Sequence, residues 1–177
     1  MIENLEPVGG SLEKLWLGRN KIDRLQGLAG LASLKILSIQ SNRITKIEGL
    51  EALVNLEELY LSHNGISKIE GLENNVSVLV LSLDKHLFEQ VKLTTLDVAS
   101  NRIEKLENIA HLVNLEEFWC NNNKVSDYRD LDELQHAKSL ATVYFEHNPI
   151  AKDVNYRRKV KLALPSLQQI DATYVRN

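Results

Sequence analysis

Several things are scarce in this sequence, and each absence narrows what the chain can be. Cysteine is almost missing: of 177 residues only Cys120 is one, so no disulfide can form within the chain, which fits a reducing compartment. No long hydrophobic run exists. The longest apolar-rich stretch, Val76 to Leu83, is too short to cross a bilayer as a helix. The opening Met1-Ile2-Glu3-Asn4 has the pattern of neither a signal peptide nor a transit peptide. No phosphate-binding glycine loop is present. Charge is nearly balanced, with 21 Lys and Arg against 24 Asp and Glu, a formal net charge of −3. No broad pull toward nucleic acid or an anionic membrane is expected.

What is present is a repeat. Leu56 to Ile66 reads L-x-x-L-x-L-x-x-N-x-I, and the template returns from Leu12, Leu34, Leu93, Leu115 and Leu140. The asparagines at Asn20, Asn42 and Asn64 are 22 residues apart, as are Asn101 and Asn123. This is the leucine-rich-repeat signature: each copy supplies one short strand and one arc, stacked into a curved solenoid. The asparagine suits a turn, where its side chain can bond nearby backbone. After it, apolar residues recur every third position (Ile44, Ile47, Leu50, Leu53, Leu56), which fits tight 3₁₀-like arcs better than long α-helices. Glu48-Gly49 and Glu70-Gly71 allow sharp turns on the convex side. The expected fold is therefore an α/β solenoid with a curved parallel sheet on its concave face, 3₁₀ or short helical arcs on its convex face, and a C-terminal cap. Cys120 fills an apolar template position, so it reads as a small core residue.

Three irregularities punctuate the stack. First, Ile2, Leu5 and Val8 match an arc whose preceding strand is missing. That end is expected to continue a longer solenoid or to lie under a partner. Second, the step from Asn64 to Asn101 is 37 residues, and removing the 15 residues of 76–90 restores the period. This segment reads either as a degenerate extra strand or outward loop, or as a translated retained intron of 45 nucleotides. Its first residues, Val-Ser, can be encoded by a donor-like GTGAGT, and its last, Gln, by an acceptor-like CAG. Sequencing the transcript distinguishes the two. Third, the step from Asn123 to Asn148 is 25 residues; a short helix capped by Ser126 or Asp127 is expected in the longer arc. Residues 1–148 thus read as repeats and 149–177 as a capping segment. In the cap, 153–164 is amphipathic, with Val154, Val160 and Leu164 expected toward the stack, Arg157, Arg158 and Lys161 toward water, and Pro165 ending the helix.

Strand alternation turns the residue between the second and third apolar positions onto the concave face. Down the stack that column is Trp16, Ser38, Tyr60, Asp97, Trp119 and Tyr144. Two residues earlier it is Lys14, Ile36, Glu58, Thr95, Glu117 and Thr142; two later, Gly18, Gln40, Ser62, Ala99, Asn121 and Glu146. Four of the six central residues are large aromatics, and both tryptophans are among them. Trp and Tyr gathered on one surface are the commonest interface anchors, and the flanking acids favour a protein partner with a basic or mixed surface. Packing between cross-strand neighbours is the plainer role of such rings. Enzyme chemistry finds little support. His63 and His147 lack companions for a metal site. Asp97 and Glu117 would stand on an open sheet, without the enclosed pocket that tunes an acid. No cofactor, metal or small-molecule substrate is expected.

Several runs are more specific than the repeat itself: SIQSNRITKIEGL (38–50), LVNLEELYLSHNGI (53–66), IEGLENN (69–75), LDVASNRIEKLENIAHL (96–112), DLDELQHAKSLATVY (130–144) and NYRRKVKLALPSLQQIDATYV (155–175). Together they resemble the C-terminal part of the leucine-rich-repeat regulatory subunit of type-1 protein phosphatase, the regulatory subunit 7 family. The resemblance covers nearly all of the chain outside 76–90 and the first dozen residues. It implies a non-catalytic, mainly nuclear subunit that binds the phosphatase catalytic chain through its concave face and serves phosphatase assembly and chromosome segregation. The positions matching the family's contacts are Trp16, Asp97, Glu117, Trp119 and Tyr144; the column above adds Tyr60. A leucine-rich-repeat adaptor of another complex, of the axonemal or spliceosomal type, is the alternative.

Overall fold

The computed structural model describes residues 2–72 and 92–175. The segment 76–90, with the two readings given to it above, lies outside the described residues. Six template strands, β1 (Lys14–Trp16), β2 (Ile36–Ser38), β3 (Glu58–Tyr60), β4 (Thr95–Asp97), β5 (Glu117–Trp119) and β6 (Thr142–Tyr144), are joined by β7 (Gln169–Ile170) and β8 (Thr173–Tyr174). They form one sheet in the order β1 to β8, parallel except that β8 runs antiparallel to β7. Each strand is short because three residues suffice to place one side chain inward and two outward. The inward residues Leu37, Leu59, Leu96, Phe118 and Val143 are fully buried, whereas Leu15 in the outermost strand is half-buried. Pairing of β3 with β4 aligns Leu59 with Leu96 as directly as Leu37 with Leu59, despite the longer connection.

The arcs close the core from the convex side. Leu31 N–H donates to Leu28 O at 3.0 Å, Leu53 to Leu50 at 3.0 Å, and Leu112 to Ile109 at 2.9 Å. These are 3₁₀-type bonds, repeated every third residue as the leucine spacing requires. At Gly49 (φ +69°) a Cβ would lie 2.3 Å from the carbonyl of Leu25, so both the turn and the close approach of the neighbouring arc demand glycine. Asn108 takes the equivalent place two repeats on, after Gly71, at φ 59°, and bonds the carbonyl of Ile69.

The asparagines stitch repeat to repeat. Asn42 accepts from Ile22 N–H and donates to the carbonyls of Leu17, Ile39 and Gln40. Asn64, Asn101 and Asn123 repeat the pattern, and Asn101 does so across the long connection, accepting from Ile66 N–H at 3.0 Å. A buried turn whose backbone groups would otherwise be unpaired is thus satisfied by one side chain.

The longer arc carries a 3₁₀ helix, Tyr128–Leu134, with Asp127 as its N-cap accepting from Arg129 N–H. Beyond it, helix α1 (Tyr156–Ala163) packs against this arc and the 3₁₀ turn Pro149–Lys152. The helix starts later than the amphipathic pattern suggests. Asp153 accepts from Asn155 N–H and pairs with Lys159, holding the chain in a turn there. Val154 is consequently 98% exposed, and Tyr156 takes the inward place beside Val160 and Leu164. Arg157 and Arg158 are exposed as expected, although Arg157 also donates to Ile170 O; Lys161 departs from expectation, half-buried and donating to Pro165 O and Leu167 O.

Candidate functional site

The strand register brings all six central residues into one line. Trp16 pairs with Ser38, Ser38 with Tyr60, Tyr60 with Asp97, Asp97 with Trp119, and Trp119 with Tyr144. Each therefore lies on the concave face beside the next. Their environments differ. Trp16 is 64% exposed and has no ring neighbour among the described aromatic contacts. Trp119 is 36% exposed, tilted at 34° over Tyr144 with ring centroids 5.0 Å apart.

The acids two residues upstream hold the rings. Tyr60 Oη donates to Glu58 at 2.8 Å, and Trp119 Nε1 donates to Glu117 Oε2 at 3.1 Å. Residues i and i+2 of a strand share a face, so the template puts each acid within reach of its ring, and the rotamers complete the bond. Partial burial, the bond to Glu58 and the charges of Glu58, Glu117 and Asp97 push the Tyr60 phenol up to about 12. Burial is the largest cause of that shift, and the neighbouring carboxylates add to it.

Asp97 is not the open carboxylate that its column position suggests. It is 4% exposed, accepting from Gln40 Nε2 at 3.0 Å and from Ala99 N–H at 2.9 Å. Gln40 reaches it across β3 because Ser62, which the same amide also contacts, is small. Ser38, Ser62 and Ala99 leave a shallow open hollow between Trp16 and Trp119, with Asp97 at its base. Cys120 is buried as its template position requires, and burial pushes its thiol up, away from nucleophilic use. His63 and His147 occupy left-handed turn positions, at φ 56° and 61°. Among the described residues no three His, Cys, Asp or Glu side chains are grouped to hold a metal ion, and no helix is long and apolar enough to cross a membrane.

Two features of the face escaped the sequence. Gln40 belongs to a column without obvious chemistry, and only its length across small neighbours brings it to Asp97. Gln169 lies beyond the last template copy, and its Nε2 donates to Tyr144 Oη at 2.8 Å.

Comparison with known proteins agrees with this architecture. A family model described as Leucine Rich repeats (2 copies) matches residues 10–52, 32–74 and 91–136. The chain is 65% identical over 52 residues to protein phosphatase 1 regulatory subunit 7 of Mus musculus, covering 29% of this chain and 14% of that protein. It is 49% identical over 73 residues to protein phosphatase 1 regulatory subunit SDS22 of Schizosaccharomyces pombe, covering 40% of this chain and 22% of that protein. The aligned stretch is thus a minor part of each relative's length. In fold it matches a leucine-rich-repeat protein of Leptospira interrogans, with TM-score 0.69 and 22% identity over 89% of this chain and 36% of that one. It also matches a chain of the Drosophila melanogaster SNF/U2A′ complex, with TM-score 0.65 and 25% identity over 80% of this chain and 74% of that one. The resemblance to the phosphatase regulatory subunits drawn from the sequence runs therefore stands. With the repeat model matching most of its length and the strands stacked in register as that repeat demands, the chain belongs to the leucine-rich-repeat family.

Proposed function

We propose that this chain is a non-catalytic regulatory subunit that binds the catalytic subunit of type-1 protein phosphatase with its concave face. One observation carries the reading: Trp119, stacked on Tyr144 and bonded to Glu117, stands in an in-register aromatic and acidic column of a chain 65% identical over 52 residues to a phosphatase regulatory subunit. The mechanism is association alone. Trp16, Trp119 and Tyr144 are buried against the partner, while Glu58, Tyr60 and Glu117, with the buried Asp97 beneath them, form a polar, acidic surround that orients a basic or mixed surface. Because Trp119, Tyr144 and Tyr60 are already fixed by neighbours, little side-chain freedom is lost on docking. Residues 149–175 are read as the cap on the far end of the stack. The role belongs in the nucleus, with a share in the cytoplasm, and serves cell division.

Purified phosphatase catalytic subunit and this chain provide the test, with affinity measured by titration calorimetry. The parent binds, and Trp119→Ala costs about 2 kcal/mol or more, roughly thirtyfold in Kd. A folded Trp119→Ala protein that binds as tightly as the parent overturns the reading. The second reading, an adaptor of another complex of axonemal or spliceosomal type, draws on the likeness to the SNF/U2A′ complex. It predicts no binding to the purified phosphatase at all.

A further inference from the structure

The concave face does not stop at the sixth strand. Gln169 pairs with Thr142 and so continues the column of Glu117 and Thr142 onto β7. Its neighbour Ile170 is fully buried, which fixes Gln169 on the opposite, concave side. In the antiparallel hairpin Gln169 then stands directly across from Tyr174, and residues directly opposite share a face. Tyr174 is 80% exposed, more than any aromatic of the template strands. An exposed tyrosine continuing an aromatic surface is a contact in waiting, since its ring is apolar and its hydroxyl tolerates a wet rim.

Gln169 has a second part. Its amide donates both to Tyr144 Oη and to Asp171 O, each at 2.8 Å. Asp171 is itself locked, accepting from Phe145 N–H, Glu146 N–H and Tyr156 Oη. The order of the hairpin thus passes through one side chain to Tyr144, and from Tyr144 to Trp119 stacked on it.

We infer that the recognition face extends onto the terminal hairpin: Tyr174 is a further aromatic contact for the protein partner, and Gln169 is a positioning residue that holds Tyr144 for it. The inference rests on the phosphatase-binding reading. It is tested with the whole chain and purified phosphatase catalytic subunit, measuring affinity and melting temperature for Tyr174→Ala, Gln169→Leu, Tyr144→Phe and the Gln169→Leu/Tyr144→Phe pair. Tyr174→Ala is expected to weaken binding roughly tenfold with an unchanged melting temperature. Gln169→Leu is expected to weaken it several-fold in the parent and not at all in the Tyr144→Phe background, as a residue acting only through the Tyr144 hydroxyl must. A Gln169→Leu effect of equal size in both backgrounds overturns the positioning role. If Tyr174→Ala and Gln169→Leu bind like the parent while Trp119→Ala does not, the hairpin is outside the footprint and this inference alone falls. If Trp119→Ala also binds like the parent, both readings fall together.

Discussion

The first and fifth strands are built from the same template and behave differently. In β1, Leu15 is half-buried, Asn20 bonds only the carbonyls of its own repeat, and Trp16 stands alone. In β5, Phe118 is fully buried with its ring 5.8 Å from Phe145, Asn123 bridges to Ile103 and Val98 of the preceding repeat, and Trp119 is stacked and bonded. The difference lies in having a neighbour on each side. In a solenoid a residue's worth is set as much by the adjacent repeat as by its own identity.

Mutations can sharpen that contrast. The largest effect expected is on the core: Phe118→Ala should cost about 3–5 kcal/mol of stability in denaturant unfolding, while Leu15→Ala should cost about 1–2 kcal/mol, because Leu15 already meets water. Next come the asparagines. Asn123→Ala leaves the buried Ile103 N–H unpaired and removes one of the two asparagine donors from each of the Val98 and Cys120 carbonyls, which keep Asn101 and Asn148; it should cost about 2–3 kcal/mol, whereas Asn20→Ala should stay below about 1 kcal/mol. In phosphatase binding, Trp119→Ala should exceed Trp16→Ala, at about 2 against about 1 kcal/mol, because Trp16 must lose freedom on docking that Trp119 has already lost. Equal losses would show that fixation of the ring contributes nothing. The smallest effect concerns Tyr60. With its phenol held at about 12, folding favours the neutral form; that contribution is present below the ordinary tyrosine value near 10 and disappears as pH rises through 12. An absorbance titration of parent against Tyr60→Phe should show the parent's extra tyrosine ionising well above the ordinary value, though before the more deeply buried Tyr156; an extra tyrosine ionising near 10 would show that neither burial nor Glu58 holds the phenol neutral.

Where the sequence is periodic, it told the fold plainly. The strands, the arcs and the asparagine turns follow from spacing alone, since each repeat solves the same packing problem. The central column was legible for the same reason. What periodicity does not encode was missed. Val154 fits the apolar face of a helix on paper, but Asp153 bonds Asn155 N–H and delays the helix start. Asp97 reads as an open carboxylate, yet its burial depends on a glutamine two strands away passing over a serine. Glu58 and Glu117 read as a general acidic surround, while their bonds to Tyr60 and Trp119 are rotamer choices that no spacing specifies. Gln169 and Tyr174 lie past the last copy of the template, where no column can be drawn without the hairpin register.

The direct pairing of β3 with β4 has a practical side. Lengthening a connection from 22 to 37 residues adds only about 0.5 kcal/mol of closure entropy, and the strands on either side keep their alignment. The stretch of chain between Leu72 and Lys92 is therefore a natural port for engineering: a tag, a protease site or a fluorescent reporter spliced in there should leave the register of β3 with β4 intact.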